Sequence, residues 1–208
     1  GGSRLPVLIL VHGSGPNDRD ETLGPNKLFR DIAWGLAEQG IAVLRYDKRT
    51  KVYGTAAYPQ GVEATFDNEV VDDVISAVRL VKSLPEIDSA RVYVLGHSLG
   101  GMLVPRIAQR AGEGCLGGII SLAGPVRKME QLLTEQMTYI SSLSGTQPDV
   151  KAAVEQVMNS LPESYRKMET EYQPVEVARM LKLPFLVLQG ERDYQVTMQD
   201  FGMWRFGL

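Results

Sequence analysis

The stretch from Arg91 to Gly101 constrains this chain more than any other. A β-branched and apolar strand, Arg91 to Leu95, runs straight into Gly96-His97-Ser98-Leu99-Gly100, and helical spacing begins at once from Leu99 to Arg110. This is G-x-S-x-G between a strand and a helix, where the serine sits in a tight, strained turn that lifts its hydroxyl above a sheet. A side chain two positions before or after Ser98 would collide where strand and helix approach each other, so both positions are glycine. The turn also puts the Leu99 N–H at a helix N-terminus, facing any negative charge that develops near Ser98. The plainer reading is a glycine-rich turn. The flanking strand and helix favour a nucleophilic Ser98.

Strands and helices alternate along most of the chain, the signature of a parallel sheet with helices on both faces. Val7 to Val11 is a continuous apolar run, as in a strand buried on both sides. Leu28, Ile32, Leu36 and Ala37 follow at helical spacing up to Gly40, and Ile41 to Tyr46 reads as a second strand. A loop from about Asp47 to Asp67 precedes a helix from about Asn68 to Ser83. Leu116 to Leu122 and Phe185 to Leu188 complete five strands. Between Val126 and Leu183 the alternation stops. Met129, Leu132, Leu133, Met137 and Ile140 mark an amphipathic helix, with further helices at Val150 to Met158 and near Pro174 to Leu181.

The expected organisation is one α/β domain over 1–208, with a core of 5–125 and 183–208 and a helical cap of 126–182. An insertion next to the carboxyl ends of the strands would cover the site that open α/β sheets form there. The alternative is a helical pack on the sheet edge with no part in the site. Five methionines, Met129, Met137, Met158, Met168 and Met180, fall in the insertion. They read either as an adaptable apolar pocket or as ordinary helix packing.

Two further motifs lie at strand ends. His12-Gly13-Ser14-Gly15 follows the first strand, and a turn presents Asp193 after the last. With Gly96 to Gly100, these resemble the α/β-hydrolase superfamily. The stretches from His12 to Asp20 and from Leu44 to Arg49 narrow the resemblance to bacterial dienelactone-hydrolase-like and prolyl-oligopeptidase-like serine esterases. It covers most of Val7 to Val196 and is weakest in the insertion. It implies attack by Ser98 on a carboxylic ester, an acyl-enzyme, an oxyanion hole from the Ser14 and Leu99 amides, and Asp193 orienting a histidine. A peptidase, an acyltransferase and a non-catalytic binding protein of the same fold stay open. Arg45, Asp47 and Arg49 read either as shaping the site or as a salt-linked loop scaffold. The charged run Asp18 to Glu21 reads either as lining the entrance or as solvated.

A serine hydroxyl is a poor nucleophile until a base takes its proton. The chain has two histidines. His12 belongs to the oxyanion-loop motif, and His97, next to Ser98, should point away from its hydroxyl. By the resemblance, the base follows the acid after a helix and a final strand, which needs roughly 25 residues. None of the residues after Asp193 is histidine. The expectation is therefore that terminal strands and the histidine segment are missing, through cropping of a complete enzyme. Natural loss of catalysis and an unusual base stay open beside it.

Apolar residues make up 44% and charged residues 23%, which suits a folded globular chain. The net charge of −3 and the scattered Lys and Arg give no reason to expect nucleic acid as a partner. Cys115 is the single cysteine, so neither an intrachain disulfide nor a thiolate zinc site is available. No metal or organic cofactor is implied, and the expected partner is a small-molecule ester. No apolar run approaches the roughly 18 residues of a membrane span. The start at Gly1-Gly2-Ser3-Arg4 reads as upstream removal or a tag remnant. Compartment, oligomeric state and acyl preference are not legible.

Overall fold

A computed structural model describes residues 4–145 and 148–208. The chain runs β1 (Leu5–Val11), a hairpin of β2 (Thr22–Leu23) and β3 (Asn26–Lys27), α1 (Leu28–Ala37), β4 (Ala42–Leu44), α2 (Arg49–Tyr53), α3 (Asp72–Ser83), β5 (Ile87–His97) and α4 (Leu99–Ala111). It continues through β6 (Gly118–Leu122), α5 (Met129–Ser144), α6 (Val150–Ser160), α7 (Glu163–Glu171), α8 (Pro174–Arg179), β7 (Phe185–Leu188) and α9 (Met198–Gly207). Five strands form one parallel sheet in the order β4-β1-β5-β6-β7.

Side-chain alternation explains the layers. Val7, Ile9 and Val11 of β1 join Val92 and Val94 of β5 on one face, against Val74 and Val78 of α3 and Leu103 and Ile107 of α4. Leu8, Leu10 and Leu95 point to the other face, where Phe29 of α1 meets them. Both faces of β1 are thus apolar because each has a helix to cover it.

The five strands lie where the sequence places them, with β5 longer at both ends than Arg91 to Leu95. The segment 47–67 is less loop-like than expected. It contains the five-residue α2 and a 3₁₀ turn at Gly54–Ala57, too short to show an apolar period. The helix expected from Asn68 begins with a wide π-helical turn, Asp67–Val71, before regular α3. Helices α7 and α9 escape the sequence reading. The first is largely polar and buries only Tyr165 and Glu169, and the second carries Gly202 and Gly207, which weaken its signal.

One buried ion pair joins the ends of β6 and β7. Asp200, in the first turn of α9, is fully buried. Its Oδ1 accepts from the N–H groups of Val126 (2.9 Å) and Arg127 (3.0 Å), and its Oδ2 lies 2.8 Å from Arg127 Nη2. Trp204 on the same helix donates Nε1–H to the Gly124 carbonyl at 2.8 Å. Removing one member of a buried pair strands the other charge. Asp200→Ala should therefore lower stability by about 3–5 kcal/mol in urea unfolding. A loss below about 1 kcal/mol would mean that α9 is held by packing alone.

Candidate active site

Ser98 occupies the sharp turn between β5 and α4 at φ 52°, ψ −116°, a conformation that a residue with a Cβ rarely adopts. Its neighbours force this. A Cβ on Gly96 would stand 2.1 Å from the Gly100 carbonyl oxygen, and one on Gly100 would stand 2.4 Å from the Val11 carbonyl oxygen. The approach extends to Gly101 and Gly124, where a Cβ on Gly101 would meet the Gly124 Cα at 2.8 Å. The turn is pinned from both sides. Ser98 N–H donates to the Leu122 carbonyl at 2.9 Å, and Met102 N–H donates to the Ser98 carbonyl at 2.9 Å. Leu99 is the first residue of α4, so its N–H has no acceptor within the helix.

The loop after β1 faces this turn. A Cβ on Gly13 would lie 3.2 Å from the Ser98 Cβ, which shows how closely the two segments pass. Gly13 N–H is taken by Glu21 Oε1 at 2.7 Å, whereas Ser14 N–H makes no hydrogen bond within the described residues. Several bonds fix the loop. Lys48 Nζ donates to the Gly13 carbonyl at 3.1 Å, and Asn17 Nδ2 to the Gly13 and Ser14 carbonyls at 3.2 and 3.0 Å. Asp18 caps the turn by accepting from the N–H groups of Asp20 and Thr22 and the Thr22 hydroxyl, which together hold its carboxyl below the usual range.

Glu21 is the member of this loop that the sequence reading underrated. It is 8% exposed, at positive φ (49°), and is neither a solvated charge nor an entrance charge. One oxygen holds Gly13 N–H, and the other stands 3.0 Å from His97 Nδ1. A single carboxylate therefore spans the loop after β1 and the residue before Ser98.

Neither histidine is aimed at Ser98. His12 is buried, its Nε2–H donates to the Asp18 carbonyl at 3.0 Å, and its ring packs edge-on to Tyr46. Burial pushes its pKa below the ordinary 6.5, so it is a neutral structural imidazole. His97 is turned to Glu21.

Asp193 lies in the turn after β7. Its Oδ1 accepts from the N–H groups of Gln195 (2.8 Å) and Val196 (3.1 Å), and Gln189 Nε2 reaches Oδ2 at 3.3 Å. The pairing of Leu122 with Leu188, and the bond from Ala123 N–H to the Leu188 carbonyl, bring this turn to the same sheet edge as Ser98. The four sequence-predicted residues Ser14, Ser98, Leu99 and Asp193 thus all sit at the carboxyl ends of neighbouring strands. Ser14, Ser98, Leu99, Gln195 and Val196 border one cavity of about 460 Å³.

The opposite wall comes from the helices after β6. Met129, Leu132 and Leu133 of α5, Val157 of α6 and Tyr165 and Glu169 of α7 line it. Of the five methionines expected there, Met129 lines the cavity. Met158 lies in a groove between α5 and α6, Met180 is 66% exposed, and Met168 packs on the core. Met102 of α4 adds the sulfur that the sequence reading left out. Arg45, Asp47 and Arg49 resolve as a loop scaffold. Arg45 pairs with Asp20, Asp47 with Arg19 at 2.6 Å, and Arg49 with Asp73 at 2.5 Å. The Arg19 guanidinium holds the Asp47 carboxyl down at about 2. Among the described residues no cluster of His, Cys, Asp and Glu could hold a metal ion.

Comparison with known proteins places the chain in a family. The model of the prolyl oligopeptidase family matches residues 29–205. Esterase EstD of Thermotoga maritima is 39% identical over 221 aligned positions, covering 98% of this chain and 50% of that protein. The uncharacterized peptidase YtmA of Bacillus subtilis is 26% identical over 137 positions, covering 64% of this chain and 47% of its own. The chain spans about half the length of these curated relatives. Among solved structures, Est1E from Butyrivibrio proteoclasticus superposes with a TM-score of 0.65 at 17% identity, covering 98% of this chain and 74% of that one. The esterase Pf2001 of Pyrococcus furiosus gives 0.63 at 17% identity, covering 98% and 68%. The fold is that of the α/β-hydrolases, and the chain belongs to the prolyl oligopeptidase family.

Proposed function

We propose that this chain carries the nucleophile of a serine hydrolase that cleaves carboxylic esters. The observation that carries the reading is Ser98, held at positive φ on the rim of an apolar cavity opposite the unbonded Ser14 N–H. In this reading Ser98 Oγ attacks the ester carbonyl. The oxyanion is received by the Ser14 and Leu99 amides, fixed donors that need no reorganisation when charge develops. Gly13 N–H is committed to Glu21, which leaves Ser14 as the donor from this loop. The alcohol leaves, and water releases the acid from the acyl-enzyme. EstD, at 39% identity, supports an ester as the substrate.

Asp193 would orient a histidine that these 208 residues do not include. The placements of His12 and His97 support this, because each ring faces a partner other than Ser98. The backbone amides at Asp193 Oδ1 keep that oxygen fixed and leave Oδ2, with one long bond from Gln189, as the acceptor for an imidazole N–H. Residues 126–182 would act as a cap over core 5–125 and 183–208, because α5 to α7 supply one wall of the cavity whose other wall holds Ser98. No cofactor enters this chemistry. A peptide substrate is the second reading, favoured by the family model and by the peptidase name of the B. subtilis relative.

In the full-length protein a fluorophosphonate should label Ser98, and Ser98→Ala should abolish labelling; labelling that persists would reassign the nucleophile. Short p-nitrophenyl esters should be cleaved at least about a hundredfold faster, by kcat/KM, than matched peptide p-nitroanilides; the reverse order would establish the peptidase reading. Glu21 adds a check on the oxyanion hole. Releasing Gly13 N–H should let the Ser14 amide drift, and losing one oxyanion donor typically costs ~3 kcal/mol of barrier. Glu21→Ala is expected to lower kcat by roughly a hundredfold with little change in KM, while Glu21→Gln, which can still accept from Gly13, recovers much of the loss.

A further inference from the structure

The polar groups on the cavity wall are unequally committed. Arg127 lines the cavity, and all five of its N–H donors are used internally. Nε donates to Asp200, Nη1 to Glu135 (2.5 Å) and Gln199 (3.1 Å), and Nη2 to Thr197 (3.2 Å) and Asp200 (2.8 Å). Lys48 is 2% exposed and spends its ammonium on Glu69 (2.6 Å) and the Gly13 carbonyl. Lys128 donates to the backbone carbonyls of Glu169 and Tyr172 at 2.8 and 2.9 Å. Among the described residues, none of these three cations is left facing the cavity.

The acceptors are in the opposite state. Glu169, 8% exposed, takes Met129 N–H on Oε1 at 2.6 Å, and its Oε2 has no partner among the described residues. Glu69 spends Oε1 on Lys48 and likewise keeps Oε2. Gln136 gives its N–H to the Gln195 carbonyl and retains its oxygen. Tyr165 is 6% exposed and lines the cavity, its ring set edge-on to Phe66 at 4.8 Å, yet its hydroxyl has no hydrogen-bond partner among the described residues. Burial first, and then the charges of Glu69 and Glu169 among its neighbours, push its pKa up, so the hydroxyl keeps its proton. These oxygens are not sealed in the protein interior, and their residues line the cavity, so they are open to a ligand that brings hydrogen-bond donors.

We propose that this wall, formed by Glu169, Tyr165 and Glu69, binds a cationic ammonium group on the part of the substrate that fills the cavity, and rejects a carboxylate there. The inference rests on the reading of Ser98 as the nucleophile and narrows its substrate class. An ammonium supplies the positive charge and the hydrogen-bond donors that the wall lacks. A carboxylate would meet carboxylates and an Arg127 with no N–H to give.

Binding tests this without turnover. Hexylammonium, hexan-1-ol and hexanoate, equal in apolar length, are titrated calorimetrically into the full-length protein. Hexylammonium should bind at least tenfold more tightly than hexan-1-ol, and hexanoate more weakly than either. Glu169→Gln preserves the acceptor for Met129 N–H and should cut the ammonium-to-alcohol ratio at least fivefold. Tyr165→Phe retains the ring against Phe66 and should lower the same ratio about threefold. Equal affinities, a preference for hexanoate, or a ratio untouched by both substitutions would overturn the proposal. Turnover is read separately with the p-nitrophenyl esters of 8-aminooctanoate, octanoate and suberate. Absence of hydrolysis with all three counts against the esterase reading alone, since the binding ratios judge the ammonium site by themselves.

Discussion

The end of β5 and the start of α4 touch through backbone atoms with no side chain between them. Gly96 makes that contact possible, Gly100 lets the helix pass the end of β1, Gly101 and Gly124 let it pass the segment after β6, and the site follows from these approaches. Once strand and helix are this close, the residue linking them has room only for a reversed turn, and Ser98 takes positive φ. A non-glycine residue in that region costs of order 1–3 kcal/mol and persists only where its surroundings leave no other choice. Here they leave none. The bond to the Leu122 carbonyl fixes one side of the turn, the first turn of α4 fixes the other, and the fully buried Val11, Val94 and Leu103 keep strand and helix from separating. Strain in one residue is thus carried by the packing of the whole sheet, and its product is a hydroxyl whose position does not depend on its own side-chain contacts.

The loops around that hydroxyl are ordered by a different kind of force. Glu21, Lys48, Glu69, Arg127, Glu169 and Asp200 are all less than a tenth exposed, and all lie within or beside the loops and helices that surround the cavity. Buried ion pairs add little net stability against a well-packed apolar alternative, because desolvation offsets their attraction. Their directionality is what apolar contacts cannot supply. Glu21 tells Gly13 which way to turn its N–H, Lys48 does the same for the Gly13 carbonyl, and Asp200 gathers two amides and a guanidinium at the end of β6. The pair of Arg19 with Asp47, whose arginine is exposed, contributes correspondingly less.

This division explains what could be read from the chain alone. The sheet was legible because Val7 to Val11 is an apolar run buried on both faces, and Ile41 to Leu44 and Phe185 to Leu188 are apolar runs bounded by turns, although β4 is only half-buried and β7 leaves Leu186 and Leu188 exposed. Ser98 was legible because steric exclusion leaves a mark in the sequence, a glycine on each side at fixed spacing. Directional polar contacts leave no such mark. Glu21 and Gly13 are eight residues apart, and Glu169 meets Met129 across forty, with no period to connect them. In α7 the buried positions are Tyr165 and Glu169, an i, i+4 pair that hydrophobic periodicity counts as half polar, so the helix itself was missed. The methionines misled for a related reason. Sulfur content shows where adaptable side chains are, but the placement of each one decides whether it reaches the cavity, and neither Met137 nor Met180, which follows the end of α8, is among the lining residues.

The two histidines show how position near a serine differs from position to act on it. His97 is adjacent to Ser98 in sequence, but consecutive residues on an extended strand point to opposite sides, and the reversed turn at Ser98 widens that divergence. Its Nδ1 ends 3.0 Å from Glu21, a carboxylate that already holds Gly13. The two atoms meet at ion-pair distance without hydrogen-bond geometry, and the contact turns the ring toward the Glu21 side of the turn. His12 is held still more firmly, because its neutral ring fills space between Phe29 and Tyr46 while its Nε2–H closes the loop on Asp18. Both imidazoles therefore serve the shape of the site. In the proposed reading, the proton of Ser98 would pass to a base whose ring lies between Ser98 and the Oδ2 of Asp193, and the turn after β7 leaves that acceptor oxygen with one long bond from Gln189.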